Sequence, residues 1–334
     1  MKLLTGTYSR QWGHTWLTSG NGKLYAAVST AIDAALAVFD PEDSAGPSPA
    51  LSIDMHGRTT PCGRMICRKG TAGIHPCHIT LLPNQAITSD YTSGSLTVFE
   101  LDGQGLPCPG ARLLRFPTRS AIPDSINAER QSTPHIHSSW VSPDGNELIV
   151  VDLGSDRLYV LPLTDGRLDI IDLDENGFVL ADFIQLPAGC GPRHCTFGNS
   201  MLYVSTELSD EVLVLSWPGK EMVQRIGTNG LHPGGGGHLA LSPDGKFLYV
   251  SSRLNGDGIA VFAVDGNGLL HKTAFQRTGL HPRHFCLSDD GKILAVACRD
   301  SNTVEIYVRN PTDGLLSLRK TVKVEKPVFV EFIN

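Results

Sequence analysis

Short runs of alternating or β-branched apolar residues, each closed by a Gly, Asn-Gly or Pro-Asp-Gly turn, recur along the chain. The clearest copy enters at Pro134-His135-Ile136-His137, turns at Ser142-Pro143-Asp144-Gly145 and returns through Leu148-Ile149-Val150-Val151-Asp152. A period of two, then a tight turn, then a β-branched run predicts an antiparallel hairpin with histidines at its entrance. Arg157-Leu158-Tyr159-Val160-Leu161 continues it as a third strand.

Other copies follow the same order. One starts at His14-Thr15-Trp16 and turns at Asn21-Gly22, a strong hairpin signal. Others begin at His75-Pro76-Cys77-His78, Gly191-Pro192-Arg193-His194, His232-Pro233 with Gly237-His238, and His281-Pro282-Arg283-His284. A final stub, Lys326 to Phe332, starts the motif and stops. Six copies and a stub, roughly 44 to 60 residues apart, predict an all-β, seven-bladed β-propeller occupying residues 1–334 as a single domain. The stub is expected to join Leu3 to Tyr8, so that both termini form the closing blade. The insertions Asp40 to Gly73, Asp102 to Thr133 and Thr164 to Gly189 read as inter-blade loops or outer hairpins.

Composition agrees with this reading and narrows the partners. The chain has 35 Gly and 21 Pro with only 19% charged residues, which suits many short strands joined by turns. A formal charge of −6 gives no general attraction for nucleic acid or anionic membrane, although a local cluster of arginines still attracts a small anion. The amino terminus lacks a signal-peptide apolar core and no run approaches the roughly 18 residues of a membrane span, so a cytoplasmic protein is expected. Two cysteine pairs, Cys62/Cys67 and Cys190/Cys195, share a C-x4-C spacing that is looser than a zinc knuckle, and reduced thiols are expected.

Candidate chemistry gathers at the repeat entrances. His75, His78, His135, His137, His194, His232, His238, His281 and His284 lie there, and equivalent loops of a propeller share one face. His78, His135, His194, His238 and His284 are candidate substrate-binding residues. A repeated histidine directly before a strand also suits a fold role, pinning one blade to the next. His137 differs: seven residues separate His238 from Gly245 and His284 from Gly291, but eight separate His137 from Gly145, as if its entrance carried one extra residue. Asp90, Asp152, Glu207, Arg253 and Arg299 close the inner strands and are expected at one rim, as salt bridges or as a site. With Arg193, a His, a Glu and two Arg supply acid/base groups and donors for an oxyanion, carboxylate or phosphate. No cofactor or metal is required by this set, and no nucleophile motif appears.

The motifs Glu129-Arg130-Gln131, Pro134-His135-Ile136-His137, Asp152-Leu153-Gly154-Ser155-Asp156-Arg157, Gly191-Pro192-Arg193-His194, Glu207-Leu208-Ser209 and Ser242 to Arg253 resemble, in this order, the seven-bladed propeller lactonase family. Its members include 6-phosphogluconolactonases and carboxy-muconate cyclases. The resemblance implies catalytic or substrate-binding roles for His137, Arg193, Glu207 and Arg253, the positions that geometry also favours. It implies a metal-independent lactonase for a sugar-acid lactone such as 6-phosphogluconolactone. A muconate cycloisomerase and a non-catalytic propeller scaffold stay open beside it. The partner is a small-molecule lactone or sugar acid, and the protein a monomer or homodimer. Against the family pattern the amino terminus is brief, so the closing blade is expected to lack one or two strands. The Gly234-Gly235-Gly236-Gly237 entrance is expected to be flexible.

Overall fold

A computed structural model describes residues 2–7, 14–30, 33–43, 50–54, 57–118, 128–169, 171–228, 234–254 and 256–333. It contains seven four-stranded sheets. Blade 1 is His14–Gly20, Lys23–Thr30, Asp33–Asp40 and Arg64–Gly70; blade 2 is Pro76–Leu82, Gln85–Asp90, Ser95–Glu100 and Arg112–Arg115. Blade 3 is Ile136–Val141, Glu147–Asp152, Arg157–Pro162 and Asp182–Gln185; blade 4 is Pro192–Gly198, Met201–Thr206, Glu211–Ser216 and Met222–Gly227. Blade 5 is Gly236–Leu241, Phe247–Ser252, Gly258–Val264 and Leu270–Arg277; blade 6 is Pro282–Leu287, Ile293–Cys298, Thr303–Arg309 and Leu316–Lys323. These are the blades of a seven-bladed β-propeller.

Blade 7 departs from expectation. Pro327–Ile333 pairs antiparallel with Lys2–Thr7, as predicted, but the sheet continues through Ala50–Ile53 and Thr59–Cys62 and is complete. The outer strands come from the 40–73 insertion, after which the chain returns to blade 1 as Arg64–Gly70. Two four-residue strands, one containing Pro61, carry too little periodicity to be seen in sequence.

The chain forms two compact units. Ser9–Ala50 with Pro61–Pro192 carries blades 1 to 3; Met1–Tyr8, Leu51–Thr60 and Arg193–Asn334 carry blades 4 to 7. The only helix among the described residues is the single turn Ala128–Gln131, so none is long and apolar enough to cross a membrane. No disulfide joins any of the eight cysteines.

The repeated motifs have repeated physical jobs. In Ser142-Pro143-Asp144-Gly145 the serine Oγ donates to Asp144 Oδ1 (2.5 Å) and accepts the Glu147 N–H (2.9 Å), while Asp144 Oδ1 accepts the Asn146 N–H. Gly145 occupies the left-handed region at φ 75°. The same arrangement forms at Ser242/Asp244 and Ser288/Asp290. The buried tyrosines on the second strands of blades 1, 4 and 5 reach the next blade: Tyr25 donates to Gly105 O (2.8 Å), Tyr203 to Gly268 O (2.9 Å) and Tyr249 to Gly314 O (2.7 Å). Each latch joins a large apolar surface to one satisfied hydroxyl, worth about 1 kcal/mol net for the hydrogen bond alone.

Every entrance strand with a resolved register kinks at its start. The ladder shifts at His14/Trp16, Pro76/His78, Ile136/Ser138, Gly236/Leu239 and Pro282/His284. A bulge re-aims what lies inside it: Thr15, Cys77, His137 and Arg283 in four of these strands, and Gly237 with His238 in the fifth. The residue after the bulge points back between blades. In one unit His78 lies between Trp16 (4.4 Å between ring centroids) and Trp140 (4.8 Å). In the other, His238 stacks on His284 at 4.1 Å and His284 on Phe329 at 4.2 Å.

Candidate active site

Glu207 follows the last residue of Met201–Thr206, and Arg253 follows the last residue of Phe247–Ser252. Arg193 is the second residue of Pro192–Gly198. The turns at these strand ends bring the three side chains together. Arg193 Nε donates to Glu207 Oε2 at 2.9 Å, and Arg253 Nη2 donates to the same oxygen at 2.5 Å. The side chains are 3%, 5% and 11% exposed for Arg193, Arg253 and Glu207. Two guanidinium groups on one carboxylate oxygen leave a net positive, largely dehydrated cluster. Burying three charges this way is weak for stability, since apolar residues of equal volume often do as well or better. The cluster is therefore better understood as a site than as a brace.

The glycine run beside it is a tight fit, not a flexible hinge. Gly235 N–H donates to Glu207 O (2.7 Å) and Gly235 O accepts the Arg253 N–H (2.9 Å), so this backbone threads between the two strand ends. A Cβ on Gly235 would stand 1.8 Å from Arg253 O, one on Gly236 2.0 Å from Thr206 O, and φ of Gly235 is 113°. Only glycine fits this approach.

Behind the ion cluster, Arg193 Nη1 lies 3.2 and 3.1 Å from the two ring nitrogens of His194. His194 Nδ1 is 3.0 Å from His238 Nδ1, and the stack continues to His284, whose Nδ1 accepts the Val330 N–H at 3.4 Å. His194, His238 and His284 are buried, as is His78, so this geometry gives them the fold role of inter-blade packing.

Two residues outside the first set complete the cluster. His281, held at φ 57°, has its Nε2 3.3 Å from Arg253 Nη1 and its Nδ1 3.3 Å from Asp300 Oδ2. Burial, followed by the charges of Arg253, Arg299 and Arg283, lowers its pKa to about 3, so the ring is neutral at physiological pH. Arg299 Nη2 lies 3.3 Å from the same Nδ1, and Arg299 is bound by Asp300 at 2.7 and 3.0 Å. His232 lies outside the described residues.

His135 and His137 belong to a second cluster. The His135 ring stacks on Tyr91 (4.5 Å, 11°), and His135 Nδ1 donates to Tyr91 O at 2.9 Å. Arg130 Nε donates to the Tyr91 hydroxyl (2.9 Å), and His137 meets Tyr91 edge-on at 5.7 Å. Beneath it, the fully buried Asp156 accepts Gln131 Nε2, Gly189 N–H and Gly191 N–H, each at 2.8 Å. That anchor fixes the loop two residues before Arg193. The Glu129-Arg130-Gln131 motif thus serves two contacts, Arg130 on Tyr91 and Gln131 on Asp156.

Two expectations about register are corrected. No extra residue precedes His137: Ser138 takes the post-bulge place that His78 and His284 hold, and His137 is the bulge residue itself. Its ring was displaced by one position, not by an insertion. Asp90 and Asp152 do not share the rim position of Glu207, Arg253 and Arg299. They pair with Pro76 and Ile136 inside the ladder, as Ser252 and Cys298 do with Gly236 and Pro282. Asp152 Oδ1 accepts the backbone N–H groups of His135, Gly154 and Ser155, and burial raises its pKa. Asp90 is buried against the Thr88 and Thr97 hydroxyls, and burial raises its pKa to about 7. Asp152 anchors a loop, whereas Asp90 ties two neighbouring strands of blade 2 through their threonines. The rim position in blade 2 belongs to Tyr91, which aligning strand ends on the entrance residues would have found.

Comparison with known proteins places this geometry in context. The family model described as "Lactonase, 7-bladed beta-propeller" matches residues 13–332. A 6-phosphogluconolactonase of Bacillus subtilis (strain 168) is 31% identical over 277 residues, covering 78% of this chain and 74% of its own. One from Formosa agariphila is 31% identical over 265 residues, covering 76% and 72%. A solved Bacteroides fragilis structure, which bears 6-phosphogluconolactonase as a provisional name, superposes with a TM-score of 0.83 at 28% identity over 100% of this chain and 98% of its own.

Proposed function

This chain belongs to the seven-bladed β-propeller lactonase family, and from that premise we propose that residues 1–334 work as one propeller domain whose Arg193–Glu207–Arg253 cluster hydrolyses a sugar-acid lactone. The observation that carries the reading is the convergence of two buried arginines on one glutamate oxygen. Such a cluster attracts an anionic or strongly polar substrate and has donors ready for the oxyanion that forms when water adds to the lactone carbonyl.

Water attacks the carbonyl carbon while its proton passes to Glu207 as the base. Arg193 and Arg253 stabilise the tetrahedral oxyanion. The bond from carbon to ring oxygen then breaks, and the proton returns to that oxygen, giving a hydroxy acid. In the resting cluster both guanidinium groups donate to Glu207 Oε2, and a substrate oxygen that draws one arginine toward itself frees this carboxylate oxygen to meet the attacking water. Ring closure of a muconate is a different reaction, in which a carboxylate oxygen and a proton add across a carbon–carbon double bond, and there the arginines would serve only to hold carboxylates.

The test is a pH-stat measurement with a panel of phosphorylated and unphosphorylated sugar lactones and a muconate. The expected result is acid release well above background from at least one sugar lactone and little ring closure of the muconate. Background rates across the lactones would refute the reading. In this reading the protein works on a diffusible small molecule in the cytoplasm.

A further inference from the structure

Arg283 is the residue that the ladder skips in blade 6, where Pro282 faces Cys298 and His284 faces Ala297. It repeats the place of Arg193: each is the second residue of its strand, and each precedes a histidine that packs between blades. The fold does not ask for arginine there. The corresponding residues are Thr15, Cys77 and His137 in blades 1 to 3 and Gly237 in blade 5. In blade 7 it is Val328, skipped between Pro327, which faces Thr7, and Phe329, which faces Gly6. Bulges that re-aim a side chain are over-represented next to active sites.

The entrance of blade 6 stands directly against the ion cluster. Arg253, which holds Glu207 through Nη2, has its Nη1 3.3 Å from Nε2 of His281, two residues before Arg283. Between blades 4 and 6, blade 5 offers Gly237, where a Cβ would stand 2.3 Å from Ser251 Oγ, so no side chain fits. The entrances of blades 4, 5 and 6 therefore present Arg193, bare backbone and Arg283 in turn. Their strand ends differ. Glu207 follows the second strand of blade 4 and binds Arg193, whereas Arg299 follows the second strand of blade 6 and is bound by Asp300. The carboxylate that fixes Arg193 has no copy at the strand end of blade 6.

We infer that Arg283 is a further substrate-contacting residue, the blade 6 counterpart of Arg193, which donates to ring hydroxyl oxygens of the lactone across the gap left by Gly237. Arg193 and Arg253 meet the carbonyl end, where Glu207 sits, and Arg283 holds the opposite side of the ring. Its planar fork of donors matches two neighbouring hydroxyl oxygens. Those hydroxyls do not change during hydrolysis, so the contact is equally strong in ground state and transition state and shows in KM, not in kcat. This inference rests on the lactonase reading.

The experiment measures kcat and KM separately for wild type, Arg283→Gln and Arg283→Lys on gluconolactone and on 6-phosphogluconolactone, with a thermal melt of each protein. Arg283→Gln is expected to raise KM about 10- to 100-fold on both lactones, which share their ring hydroxyls, while kcat stays within about threefold. Arg283→Lys keeps the charge but not the fork and is expected to lie between, about 3- to 10-fold above wild type in KM. Arg283 is half-buried, so both variants are expected to fold, and a merely structural role would lower melting temperature and kcat instead. A KM within about twofold of wild type in either variant overturns the assignment, as does a fall in kcat at unchanged KM. A rise in KM confined to the phosphorylated lactone also overturns it, because Arg283 would then bind phosphate. Each of these results leaves the lactonase reading standing. No hydrolysis of either lactone by wild type removes that reading itself.

Discussion

Arg253→Lys is expected to fold like the wild type and to lose about 100-fold or more in kcat/KM for lactone hydrolysis. The magnitude is that of removing one positioned oxyanion donor. The substitution keeps the positive charge beside Glu207, so the buried carboxylate stays compensated. It removes the planar fork. Arg253 reaches Glu207 Oε2, His281 Nε2 and Gly236 O from one rigid group, and an ammonium on a flexible stem cannot hold those directions together. Arg253→Ala separates charge from geometry. It leaves Glu207 with Arg193 alone and is expected to cost about 3–5 kcal/mol of stability as well as activity. Initial rates combined with thermal melts on both variants distinguish these outcomes. A lysine variant with near wild-type kcat/KM would show that the arginine makes no oriented contact in the transition state.

Asp156→Ala is expected to be the most destabilising single change in the unit that carries blades 1 to 3. The carboxylate is fully buried, and its loss strands Gln131 Nε2 and the backbone N–H groups of Gly189 and Gly191. An unsatisfied buried donor costs about 1–3 kcal/mol, so a total near 3–5 kcal/mol is expected after partial relaxation. The backbone adds to this, because Asp156 sits at φ 52°, where Asp and Asn are tolerated far better than Ala. Asp156→Asn keeps the conformation and one carbonyl acceptor and is expected to lose about half as much. Urea unfolding of the three proteins measures this directly; equal midpoints for Ala and wild type would show that the loop is held by something else.

Much of the fold was readable because its signals are local. Ser-Pro-Asp-Gly writes its own turn through Ser Oγ and Asp Oδ1, and Leu-Tyr-Val alternation places the tyrosine that latches the next blade. What depends on pairing between distant strands was not readable. The outer strands of blade 7 lie in an insertion of blade 1, and nothing in Ala50–Ile53 or Thr59–Cys62 names the partner sheet. Register at the strand ends is hidden for a related reason. A bulge shifts side-chain direction by one residue without changing composition, so sequence position alone does not separate Asp90 and Asp152, which pair inside the ladder, from Glu207 beyond the strand end. Arg193, Glu207 and Arg253 were found because entrance motif and strand end each recur at fixed places. His281 and Arg299 carry the same positional signal, but the left-handed backbone and the shared ring between two arginines exist only in three dimensions.

The central claim is that lactone hydrolysis takes place at the carboxylate shared by Arg193 and Arg253. The most direct test is kcat for wild type and Glu207→Gln, measured in parallel at saturating concentration of the best lactone. Gln keeps the shape and one acceptor for the arginines but has no charge and no basicity, so kcat of the folded protein is expected to fall about 100- to 1000-fold, and loss of the carboxylate between two buried guanidinium groups is expected to cost about 3–5 kcal/mol of stability. A folded Glu207→Gln protein with kcat within about threefold of wild type would contradict the claim and move the chemistry elsewhere in the chain.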